Sequence, residues 1–186
     1  MKLTELVLDH IEITQHTKEA TCREHKGPSD LAPMLLWVDN SDQTNVMVLA
    51  VEGRPTQYMP EALQLVVKQD PKFVIFICES LGMSLDSTED FQNFSKTHKS
   101  GDLEAIYKER GPLSNVEEII VFNAIDLTSG EQVQGITKFK YDDFGHPIFG
   151  ETTVYTLDQK YVNEASVTSM LNQFHLWVQA KRASRN

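Results

Sequence analysis

The chain has 186 residues, 40% of them hydrophobic, and a formal net charge of -10. That length suits one domain, and that apolar fraction fills a core without disulfides. The charge argues against a protein that grips phosphate backbones, since such affinity comes from clustered Lys and Arg, and no apolar run approaches the roughly 20 residues needed to cross a bilayer. Neither nucleic acid nor membrane is therefore expected as a partner.

Two cysteines, Cys22 and Cys78, are too few for a secreted disulfide framework, and Glu5 interrupts the start where a signal peptide needs apolar residues. A reducing, cytoplasmic location is the expectation. Leu3, Leu6, Val7, His10, Ile11 and Thr14 recur at helical spacing, which predicts a helix from about Lys2 to about Lys18, with a strand through Leu6 to Leu8 as the competing reading. From Gln15 to Asp30 the chain is polar, and Gly27-Pro28 closes it, so this stretch reads as a frayed helix end or exposed loop that adds nothing to a core.

Two apolar runs, Met34 to Val38 and Val46 to Val51, flank the turn-forming residues Asp39 to Asn45 and predict a hairpin. Gly53-Arg54-Pro55 stops the second strand. Pro60 suits the first turn of a helix presenting Leu63, Val66 and Val67, which Asp70-Pro71 ends. In Phe73 to Cys78 both alternating sets of residues are apolar, the pattern of a central strand covered on both faces.

Residues from about 81 to 112 break the pattern and read as a helical or loop insertion, with Ser87 and Asp102 as helix caps. Three strands follow, Val116 to Asp126, Glu131 to Tyr141 and Ile148 to Thr156, joined by short turns into an antiparallel meander. An amphipathic helix from about Asn163 to about Arg182 closes the chain, with Val167, Met170, Leu171, Phe174 and Val178 on its buried stripe and Trp177 and His175 beside it. The basic tail of Lys181, Arg182 and Arg185 complements that helix's C-terminal dipole.

These elements make a single α+β domain over residues 1–186. Its sheet has about six strands, mostly antiparallel or mixed, with N-terminal and C-terminal amphipathic helices packed on it.

Candidate chemistry concentrates at one rim. If the strands at Val46 to Val51 and Phe73 to Cys78 are parallel neighbours joined by the Pro60 helix, Arg54, Glu79 and Ser80 meet at their C-terminal ends, where ligands favour open α/β sheets. A carboxylate directly after a buried strand is held firmly enough to act as a base; the structural alternative is an Arg54 to Glu79 ion pair. His146, with Asp142 and Asp143, either supplies an acid or shapes a turn. His16, Cys22 and His25 carry metal-binding chemistry but lack zinc-site spacing, so no metal is expected. Cys78 reads as a small core hydrophobe. There is no P-loop, dinucleotide glycine fingerprint, His-Glu-x-x-His or nucleophile elbow, so no cofactor is expected either.

The leading expectation is a non-enzymatic, self-associating cytoplasmic binding or assembly protein. Two strands apolar on both faces leave more sheet than the helices cover, and a second subunit would cover the rest. The alternative is a small hydrolase or lyase-like enzyme acting on a small-molecule ligand, with Glu79 as base, Arg54 holding an anionic group and His146 as acid. An acidic decoy for DNA-binding proteins would need its carboxylates in one stripe, which the sequence lacks.

Overall fold

The computed structural model describes residues 2–49, 55–83, 108, 116–157 and 167–184. Six strands form one sheet in the order β2-β1-β3-β4-β5-β6: β1 (Met34–Val38), β2 (Thr44–Val48), β3 (Phe73–Met83), β4 (Val116–Asp126), β5 (Gln132–Tyr141) and β6 (Pro147–Thr156). Every pairing is antiparallel. Three helices accompany the sheet among the described residues: α1 (Leu3–His25), α2 (Pro55–Val66) and α3 (Val167–Ala183). The architecture is α+β, as the segment pattern implies.

The central position of β3 follows from its composition. Val74, Ile75, Phe76 and Ile77 are all buried, so both of its faces lie in cores. One core, under α1, joins Val7 and Ile11 to Ile77, Ile120 and Phe122; the other, under α2 and α3, joins Met59, Leu63 and Leu171 to Leu35, Val74 and Phe76. Gly135 on β5 lets α1 come close: a side chain there would stand 3.1 Å from Val7 Cγ1 and 3.4 Å from Ile11 Cδ1.

Three local expectations are corrected. First, the polar stretch after Gln15 does not leave the core. α1 continues to His25 because its buried stripe runs on through Thr14, Lys18 and Cys22 at i, i+4 spacing, and Lys26 ends it in the left-handed conformation at φ 55°. Second, the strand at Val46 is not a covered neighbour of β3. β1 lies between them, and β2 is an edge strand with Val46 and Val48 exposed. Third, α2 starts at Pro55, so Pro60 sits inside the helix rather than in its first turn. Most of the proposed insertion at 81–112, and the Asn163 cap, lie outside the described residues.

Arg182 also does more than complement a dipole. Its guanidinium donates to Asp70 Oδ1 at 3.1 Å, to the Pro71 carbonyl at 2.9 Å and to the Leu127 carbonyl at 3.2 Å, which ties the end of α3 to the turn before β3 and to the end of β4.

Candidate functional site

The polar centre of the molecule is built around Glu79 in the second half of β3, which continues past Cys78 to Met83 rather than ending before Glu79. The sheet register sets Glu79 opposite Ile120 and Leu81 opposite Glu118, while Glu118 faces Phe139 on β5. These side chains share the sheet face that α1 covers. Lys18, one helical step beyond Thr14 on the buried stripe, points into this ground and is fully enclosed at 0% exposure.

The Lys18 ammonium is saturated. It lies 2.5 Å from Glu79 Oε1 and donates at 2.6 Å to the Ser29 carbonyl, and it sits 4.9 Å and 5.2 Å from the ring centres of Phe139 and Tyr141. The same Glu79 oxygen accepts the Leu31 N–H at 2.9 Å. One carboxylate therefore holds the middle of α1 and the strap after it, Ser29 to Leu31, against the sheet. Cys22 Sγ, 3.7 Å from the Ser29 carbonyl, packs beside the pair.

The electrostatics follow from burial. Burial raises the Glu79 carboxyl above its ordinary value, and the hydrogen bond and charge of Lys18 with the Leu31 N–H draw it back only in part. Burial opposes the Lys18 charge, but its hydrogen bonds to Glu79 and Tyr141 outweigh that and hold its pKa above the usual lysine value. Glu118 is likewise raised by burial, against the pull of Lys18 and with the push of Glu79 and Asp30.

No family model, curated protein or solved structure matches the chain. Its chemistry is therefore read from these side chains alone.

Of the other sequence candidates, Ser80 and His146 are described, and neither bonds to Glu79. Arg54 lies outside the described residues. Ser80, the next residue along an extended strand, projects to the opposite face from Glu79 and is exposed, and its hydroxyl donates to the Leu81 carbonyl at 3.4 Å. His146 is exposed on the β5–β6 turn, at the same end of the sheet as Glu79. Its Nδ1 lies 3.5 Å from Asp142 Oδ2, while Asp142 Oδ1 accepts the N–H groups of Phe144 and His146 at 2.9 and 2.8 Å. Those backbone bonds, the His146 N–H first, hold the Asp142 carboxyl below its ordinary value. The turn is thus shaped by its own aspartate, and Gly145 at φ 80° seats it against Gly27 and Pro28.

The His16, Cys22 and His25 set is pulled apart by the helix, which buries Cys22 completely and leaves both histidines exposed. Among the described residues no group of three or more His, Cys, Asp or Glu side chains is placed to hold a metal ion. Cys78 is partly buried, and burial pushes its thiol up to about 12.

A second feature lies on the outer face of the helical layer. α2 and α3 pack side by side and leave a groove lined by Glu61, Gln64, Leu65, Lys68, Trp177 and Lys181, which continues past Trp177 toward Pro60 and Met170. Leu65 is 52% exposed, Leu176 60% and Trp177 45%. The position of Trp177 beside the buried stripe was legible from its helical phase. Its apposition to Leu65 was not, because that depends on how two helices distant in sequence meet.

Proposed function

We propose that the chain is a non-enzymatic, self-associating binding or assembly protein of the cytoplasm, and that it works through the outer face of α2 and α3. The observation that carries this reading is the apposition of the exposed Leu65 and Trp177 across one groove. Large apolar side chains gathered on one exposed face, rather than scattered singly, are the usual mark of a contact surface, and Trp is enriched at the centres of such contacts. The commitment of Glu79 to Lys18 and Leu31 supports it from the other side. The carboxylate that an enzyme would use as its base is occupied in holding α1 and its strap to the sheet. Two free cysteines fit a reducing compartment, and no helix among the described residues is long and apolar enough to cross a membrane.

The test is the solution mass by light scattering over a concentration series, with Trp177→Glu beside the wild type. A dimer or larger species that the variant loses supports the reading. A wild type that stays monomeric up to high micromolar concentration overturns it and returns attention to Glu79.

A further inference from the structure

The exposed side of α2 carries Glu61, Gln64, Leu65 and Lys68 at i, i+3, i+4 and i+7, the last in the single 3₁₀ turn Val67–Gln69 that extends the helix. An apolar residue therefore lies between an acid and a base, about 10 Å apart along the axis. Among the described residues neither Glu61 nor Lys68 takes part in an ion pair. A stripe that reads acid, apolar, base is complementary to itself when reversed. Two such helices laid antiparallel bring apolar against apolar and acid against base twice over.

We infer that the partner on this face is a second copy of the chain, joined about a two-fold axis near Leu65 that sets Glu61 of each protomer against the partner's Lys68. This rests on the self-association reading above and names its geometry. An isologous contact requires that if one residue meets another, the second also meets the first, and the Glu61 and Lys68 pair meets that condition from a single helix. The flanking surface of α3 adds apolar area at the exposed Trp177, with Lys181 beside it in the groove. A partner of a different kind would need its own matching acid and base at this spacing. A second copy already has them.

The experiment uses charge reversal on the full chain. Glu61→Lys places two like-charged pairs across the axis, and so does Lys68→Glu, so each variant alone should dimerise about tenfold or more weakly than wild type at low salt. Mixed in equal amounts, the two variants present one all-basic and one all-acidic stripe, and both cross-axis pairs become attractive. The expected result is dimer restored on mixing, read by sedimentation or light scattering. Both positions are exposed, and circular dichroism checks that the variants fold. As an independent readout, Leu65→Cys should cross-link to its own copy under mild oxidation.

Dimers in wild type that neither reversal weakens, with no Leu65→Cys cross-link, overturn this geometry while self-association stands. A monomeric wild type overturns both. If one reversal variant fails to fold, the Leu65→Cys cross-link decides alone.

Discussion

Lys18 Nζ lies 2.5 Å from Glu79 Oε1, joining the fifth turn of α1, in a stretch whose composition reads as solvated, to the middle of β3. Removing one member leaves the other charge in a poorly hydrated site, which costs about 3–5 kcal/mol for a buried pair, whereas replacing both by apolar residues of similar volume is close to neutral. Lys18→Met should therefore destabilise the protein by that order, and Lys18→Met combined with Glu79→Leu should recover most of it. Urea denaturation of the two single variants and the double variant checks this. Equal stability of Lys18→Met and wild type would mean that the contact holds nothing together.

The same pair fixes a dependence on pH. Because burial raises the folded-state pKa of Glu79 above its ordinary 4.5, the folded protein binds this proton more tightly than the unfolded chain does. Its contribution to stability is full below 4.5 and is lost as pH rises through the raised value. Lys18, also raised, contributes fully below 10.5 and loses its contribution as pH climbs through its higher folded value. The stability gap between wild type and Glu79→Gln should then narrow as pH rises from 4.5 through the Glu79 titration. A gap that widens over that range would show that the Lys18 attraction, not burial, dominates at Glu79.

How much of this could be read in the sequence depends on whether residue type reports burial. In β3 and in the meander of β4 to β6 it does, since Phe76, Ile77, Ile120 and Phe122 are both apolar and enclosed; the meander strands lie close to their expected bounds, whereas β3 runs on past Cys78 to Met83, into the start of the expected insertion. Along α1 it does not. Thr14, Lys18 and Cys22 continue the buried stripe, yet two of them are polar, and only their spacing betrays them. The error at β2 is the converse. Val46 and Val48 are apolar, but strand order is set by non-local pairing, and β1 took the place beside β3. Glu79 stood out as a carboxylate after a buried strand. Its partner, Lys18, stands where the expected helix ended, about two turns short of its actual end at His25.

Thiol reactivity offers a third check. Cys22 is fully buried and out of a reagent's reach, and Cys78 has its thiol raised to about 12, so Cys78 offers little nucleophilic thiolate at pH 8. Neither should react with iodoacetamide in the folded protein, and both should label as urea unfolds it. The midpoint of labelling should coincide with that from circular dichroism. Rapid labelling of Cys78 under native conditions would show that the space beside it opens without unfolding.

Arg182 sets the last test, because it links stability to the contact face. Its three bonds, to Asp70, Pro71 and Leu127, come from different nitrogens of one planar group, and a lysine cannot reproduce that fork. Gln179 also donates to the Leu127 carbonyl, at 2.5 Å, so the end of α3 is held at two neighbouring turns. Hydrogen bonds that involve a charged group are worth about 1.5–3 kcal/mol, less where solvent reaches them, as it does here. Arg182→Ala should cost about 1–2 kcal/mol in urea denaturation, and Arg182→Lys should recover little of it. Since Trp177 lies little more than a turn before Arg182, freeing the end of the helix should also weaken self-association and alter the emission of Trp177 in a Trp37→Phe background. A loss of stability with unchanged self-association would place the contact surface away from α3.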